Sequence, residues 1–166
     1  VVNEGSKDHD FRVESNGNAN MIFVDGGNDH VNIGTATDLG GVLNVSGTAV
    51  IQTADNTDTL TLTSTDADDN SGPNLRMYRN SGSPADNDVI GQIQFEGRND
   101  NSQDVVYNDI SMKIQDASDG TEDGIIRFRN MQAGTLRQYL STSGTETVFN
   151  EDSVDIDFRV ESNGNT

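Results

Sequence analysis

Short runs of alternating apolar and polar residues, broken by polar turns, organise this chain. Phe11-Arg12-Val13-Glu14 alternates and stops at Ser15-Asn16-Gly17-Asn18. Met21-Ile22-Phe23-Val24 stops at Asp25-Gly26-Gly27-Asn28, and His30-Val31-Asn32-Ile33 stops at Gly34. Period-2 alternation places apolar residues on one side of a pleated strand, so each run reads as a half-buried antiparallel strand. Asn-Gly and Gly-Gly between such runs signal hairpins, because tight turns need positive φ. The opening third therefore reads as a β-meander. Similar runs are expected as strands at residues 42–45, 49–52, 59–63, 75–79, 90–95, 110–114, 125–128 and 147–149. No stretch keeps apolar residues at helical spacing over three turns. Residues 105–114 and 136–140 are the only places with room for a short turn of helix. Heptads are missing, which removes a coiled coil.

The pattern also starts again. Residues 3–18, NEGSKDHDFRVESNGN, return at residues 150–165 as NEDSVDIDFRVESNGN, matching at 13 of 16 positions without a gap. The offset from Asn3 to Asn150 is 147 residues. Long, near-identical repeats belong to proteins that build length by stacking units. The expected organisation is one β-rich repeat unit over residues 1–149 and the first strand of the next over 150–166. The acidic, Gly/Ser/Asn-rich connections at 65–72, 80–88 and 116–124 read as solvated loops within that unit, with no domain boundary among them. The opening VVNEG, without an initiator Met, reads as a window cut from a longer protein.

Composition changes the picture of the core. Only 31% of the 166 residues are apolar and 5% aromatic, with no Trp. At about 25 cal/mol per Å² of buried apolar area, such a chain struggles to offset its ordering entropy alone. A core shared between chains answers this, so a homotrimer is expected, its apolar strand faces turned to a common axis. The candidate core positions are Phe11, Val13, Ile22, Val24, Val31, Ile33, Leu60, Leu62, Ile93, Phe95, Ile110, Met112, Ile114, Ile126 and Phe128. Ten basic against 28 acidic residues give a net charge of −18. Phosphate binding needs clustered Lys and Arg, so no nucleic acid partner is expected. An anionic membrane surface would repel the chain, and no apolar run reaches spanning length. Cysteine is absent, which excludes disulfides, thiolate metal sites and a thiol nucleophile.

Candidate chemistry is thin. The loop 116–124 carries Asp116, Asp119, Glu122 and Asp123, which invites a calcium site because hard cations take several carboxylate oxygens. The EF-hand order is missing, and a solvated turn is the preferred reading. Asp66, Asp68 and Asp69 are read the same way. Asp25-Gly26-Gly27-Asn28-Asp29-His30-Val31 partly fits the calcium nonapeptide but occurs once, so it is taken as a hairpin turn. His9 and His30 are the only histidines. Ile156 stands at the repeat position of His9, which argues that His9 is a surface residue. Arg12 and Arg159 recur with Glu14 and Glu161, a packing role. Asn44-Val45-Ser46 fits a glycosylation sequon, a weak three-residue match. No nucleophile elbow, phosphate loop or zinc-protease motif is present. No catalytic, cofactor-binding or metal-ligating residue is assigned, no cofactor is expected, and the chain is not expected to be an enzyme.

The segments DFRVESNGN (10–18), MIFVDGGNDHVNIGT (21–35), LTLTSTDADDNSGPNLRMYRNSGSPADNDVIGQIQFEGRND (60–100) and IQDASDGTEDGIIRFRN (114–130) resemble tail-fibre and related fibre proteins of marine bacteriophages, including those of cyanobacteria and pelagic heterotrophs. YRNSGSPADND and DASDGTEDG are the most distinctive words, and the resemblance covers most of the chain. It implies an all-β, elongated fibre of short antiparallel strands and hairpins, homotrimeric, with tandem repeats. Some such fibres end in a self-cleaving chaperone, and nothing here looks like it. The implied role is a shaft repeat that projects a receptor-binding tip, lying outside this window, from the virion to a host surface. The alternative is a repeat of a cellular extracellular filament or adhesin at the cell surface, and after that a fibre-borne glycan depolymerase.

Overall fold

The computed structural model describes Gly5 and residues 7–161. Among these residues the regular elements are all β-strands, and the chain divides into two compact units, Val1–Pro73 and Asn74–Thr166. The division follows directly on the 65–72 loop, which the sequence suggested was an ordinary connection within one unit.

The first unit holds a four-stranded sheet in the order β1 (Phe11–Val13), β2 (Ile22–Asp25), β3 (His30–Ile33), β4 (Leu43–Val45). Strands β1 to β3 form the expected antiparallel meander. The β2–β3 turn is built by Asp25, whose Oδ1 accepts from the backbone N–H of Gly27 and of Asn28, both at 3.1 Å. Asp29 then takes a φ of 59°, the left-handed conformation that Asp tolerates better than most residues. Strand β4 departs from expectation, because it pairs with β3 in parallel, Val31 opposite Leu43 and Ile33 opposite Val45. The chain leaves β3 through Gly34 at φ 80°, where a Cβ would lie 2.8 Å from the Ser46 carbonyl oxygen. Only glycine allows this approach, and it lets the connection return beside β3.

The second unit is a five-stranded antiparallel meander of β5 (Val89–Arg98), β6 (Asp104–Asp116), β7 (Asp123–Gln132), β8 (Thr135–Thr142) and β9 (Thr147–Phe149). The two segments with room for helix are both strands. Each contains a bulge that breaks the alternation. Phe95 pairs with Asn108 and Glu96 with Val106, leaving Tyr107 as the extra residue. Phe128 pairs with Leu140 and Arg129 with Gln138, leaving Tyr139 as the extra one. The β7–β8 hairpin closes on the two residues Ala133 and Gly134, at φ 47° and 78°, the doubly positive turn that matches strand twist.

Residues 49–52, 59–63 and 75–79, expected as strands, join no ladder. Alternation marks a segment able to lie half-buried in a sheet, but it supplies no partner. Residues 75–79 attach to β5 through side chains instead. A Cβ on Gly91 would lie 2.8 Å from Met77 Sδ, and Arg79 reaches the Val89 carbonyl oxygen at 3.1 Å. The repeated segment also differs between its copies. Phe11–Val13 is a strand, whereas Phe158-Arg159-Val160 lies outside any ladder. Strand β1 is held by its pairing with β2. Residues 3, 4, 6 and 162–166 of the two copies lie outside the described residues.

Candidate functional site

Both sheets sort their side chains cleanly by face, because cross-strand partners in register share a face. In the first sheet, Phe11, Val24, Val31 and Leu43 form one row and Val13, Ile22, Ile33 and Val45 a second row on the same side. Between them, on the opposite side, lies the row Arg12, Phe23, Asn32 and Asn44. In the second sheet one apolar row crosses all five strands: Ile93, Ile110, Phe128, Leu140 and Phe149. The row beside it on the same face is Gly91, Met112, Ile126, Thr142 and Thr147. The other face carries the rows Gln92, Ser111, Arg127, Ser141 and Val148, then Gln94, Asp109, Arg129 and Gln138.

Burial runs opposite to the usual order. Among the described residues no apolar side chain is buried, while Asn32, Asn44, Asp109, Ser111 and Ser141 are. All fifteen candidate core positions are placed, and none forms a closed core. Phe11, Val13, Ile22, Leu60, Leu62, Ile93 and Phe95 are exposed, and Val24, Val31, Ile33, Ile110, Met112, Ile114, Ile126 and Phe128 are half-buried. The strand assignments put thirteen of them on the apolar sheet faces, and Leu60 and Leu62 in the segment without a ladder. These apolar rows stay open to solvent among the described residues.

The buried polar groups follow from the same alternation. Small side chains on the polar face sit between long ones, so Ser111 and Asp109 are shielded by Gln92, Arg127 and Arg129. Arg129 Nε donates to Asp109 Oδ1 at 2.8 Å, and Gln92 Nε2 donates to Asp109 Oδ2 at 2.7 Å. In the first sheet, Asn44 Nδ2 donates to Asn32 Oδ1 at 2.8 Å, and the Gly41 N–H donates to Asn44 Oδ1 at 3.0 Å. The parallel β3–β4 pairing sets these two amides side by side, and a sequence read as all antiparallel gives no sign of that.

The acidic loops are turns that satisfy their own backbone. Asp116 Oδ1 accepts from the Ser118 N–H at 2.8 Å, and that bond holds its carboxyl below the usual range. Asp68 accepts from the Asn70 N–H at 2.9 Å and is lowered chiefly by it. Asp25 is lowered chiefly by the Asn28 side-chain amide, 3.0 Å from Oδ2. Asp55 falls to about 2, chiefly through the Thr57 hydroxyl at 2.5 Å. Among the described residues no three carboxylates or imidazoles converge as metal ligands. Asp119 and Glu122 stay exposed in the 116–124 loop, and Asp66 spends Oδ1 on the N–H groups of Ala67 and Asp68. His9 is exposed, and His30 Nδ1 sits 3.0 Å from Asp38 Oδ1 without hydrogen-bond alignment. An open groove of about 490 Å³ runs between His9, Phe11, Val24 and His30 on the first sheet, with Asp25 and Asp29 also in its lining. Arg12 pairs with Glu14, and Arg159 with Glu161, so the repeat preserves one local ion pair.

No family model, no curated protein and no solved structure matches the chain.

Proposed function

We propose that the chain is a shaft repeat of a viral fibre, in which three chains bury their apolar sheet faces against one another and carry a receptor-binding tip away from the particle. One observation carries this reading: two sheets each present continuous apolar rows, and no apolar residue among the described ones is buried. A monomer leaves that surface wet, at about 25 cal/mol per Å² of forgone stabilisation. The sequence repeat at 147 residues supplies the serial element, and the −18 charge keeps the outer loops solvated. The resemblance of the YRNSGSPADND and DASDGTEDG segments to marine phage fibres supplies the viral setting.

Light scattering of the purified chain tests the assembly. The expected mass is three times 17.9 kDa, and a stably folded 17.9 kDa species would overturn it. Immunogold labelling tests the setting. Gold on virion fibres is expected, and gold on filaments of the cell surface in its place would favour the adhesin alternative.

A further inference from the structure

We propose that residues 58–63 of one copy of this chain pair with residues 75–79 of another in an antiparallel ladder, with Leu60 opposite Met77, Leu62 opposite Leu75 and Asp58 opposite Arg79. Both segments alternate like strands, lie in mid-chain between β4 and β5, and join no ladder. Among the described residues, no backbone group of residues 59–63 or 75–78 bonds another backbone group. Their apolar side chains remain in water: Leu60 is 61% exposed, Leu62 46% and Leu75 65%.

The second segment is already seated. Leu75 and Met77 line a groove of about 370 Å³ with Ile90, Gly91, Ile93 and Met112. Gly91, Ile93 and Met112 belong to the apolar rows of the second sheet, so residues 75–79 begin to cover that face while their own backbone stays unpaired. Opposite residues of a ladder share a side, so Leu60 and Leu62 arriving beside Met77 and Leu75 extend the cover. Charge selects the occupant. At −18, two copies repel one another over most of their surface. Residues 75–79 carry Arg76 and Arg79 and no acid, while residues 59–65 carry no charge and follow Asp58. Asp58 then joins Asp88, which stands 3.1 Å from the Arg79 guanidinium, on the same cation. A one-residue slip would turn both leucines away from that side and part Asp58 from Arg79. Within one chain the eleven residues 64–74 separate the two segments, which form no ladder; between copies the pairing is free of that connection. The inference rests on the multi-chain assembly proposed above and names the strands that make it.

The sequence lacks cysteine, so a full chain carrying both Thr61→Cys and Arg76→Cys, which this register sets directly opposite, reports the pairing. Directly opposite strand residues have Cα atoms about 4.5–5.5 Å apart, within disulfide range. Under mild oxidation the expected products are covalent dimers and trimers, forming at least tenfold faster than from Thr61→Cys with Asn101→Cys, an exposed turn position. Equal rates, or a disulfide closed within one chain, would overturn the inference. Amide exchange of the unsubstituted chain reads the same ladder without cysteines. Alternate amides of residues 59–63 should exchange at least tenfold more slowly than in a free peptide, and lose that protection on dilution. Unprotected amides in a chain of trimeric mass would overturn the paired strands and leave the fibre reading intact. Cross-linking at the expected excess in a chain that light scattering sizes as a dimer would uphold the strands and overturn the three-chain reading.

Discussion

Arg129 grips Asp109 through both carboxylate oxygens, Nε to Oδ1 at 2.8 Å and a terminal nitrogen to Oδ2 at 2.5 Å, with the aspartate side chain wholly buried. Gln92 reaches the same carboxylate from the other side, so one buried charge ties β5, β6 and β7 together. Removing the arginine strands that charge. Arg129→Ala should destabilise by about 3 kcal/mol, the usual cost of an uncompensated buried charge. Arg129→Lys should recover only part, since a point charge cannot make the fork. The double change Asp109→Leu with Arg129→Met should restore most of the loss. Urea unfolding at fixed protein concentration measures all three, and an Arg129→Ala variant as stable as the double variant would refute the account.

The amide pair Asn32 and Asn44 makes a similar claim for the first sheet. Asn44→Ala leaves the fully buried Asn32 Oδ1 without the 2.8 Å bond it now receives. The expected loss is about 1–3 kcal/mol. Replacing both by Val should cost less than the single change, because the Asn32 amide is then no longer buried without its partner and β-branched residues suit strands, while the Gly41 N–H loses its bond to Asn44 Oδ1 in both variants. Loss of the parallel β3–β4 pairing, followed by amide exchange at Ser46, whose N–H donates to the Ile33 carbonyl oxygen at 2.9 Å, is the sensitive readout.

Acid should loosen the turns in a defined window. Asp25, Asp68 and Asp116 have carboxyls lowered by hydrogen bonds to their ionised form, and Asp55 is lowered to about 2. A folded-state value below the unfolded one means the stabilisation is complete above the unfolded value near 3.8 and is lost as pH falls through the folded value. Carbon-detected titration should therefore find the Asp55 carboxyl still ionised at pH 3, while the Thr57 amide shifts only as pH approaches about 2. Titration of Asp55 at the ordinary aspartate value would contradict the Thr53-Asp55-Thr57 hydrogen bonds.

Alternation identified β1 to β4, part of β5 to β7 and β9, because a half-buried strand has to place like residues two apart. It failed at Tyr107 and Tyr139, where one extra residue shifts the phase and the run looks aperiodic. It overreached at residues 49–52, 59–63 and 75–79, since Leu60 and Leu62 alternate whether or not a neighbour strand exists. The Ala133–Gly134 turn was passed over because Ala rarely takes positive φ and only Gly134 signals it. The polar buried set could not be foreseen: Asp109 is inside only because Arg129 and Gln92 flank it across strands, a relation that requires the register.

The acidic loops should respond to charge in general and not to one ion. Screening over about 8–10 Å at physiological salt reduces repulsion among 28 carboxylates. Melting temperature should rise with ionic strength, and micromolar calcium at constant ionic strength should add nothing. A calcium-specific rise abolished by Asp119→Asn or Asp123→Asn would establish a metal site in the 116–124 loop and favour the adhesin alternative.

The apolar row of the second sheet gives the most direct test of assembly at residue level. Ile110 is its second member, between Ile93 on β5 and Phe128 on β7, and is half-buried within one chain. If three copies cover this face, each contributes the remaining burial of one isoleucine, worth about 1 kcal/mol, or roughly 3 kcal/mol per trimer. Ile110→Asp removes that and adds a desolvated charge, so the association constant should fall by about two decades or more. Light scattering should then find 17.9 kDa species at concentrations where the parent chain is assembled. Lys113→Ala, on the other face of the same strand, should leave the mass unchanged. Assembly that survives Ile110→Asp but not Lys113→Ala would mean that the polar faces meet, and the shared-core account would have the sheets inside out.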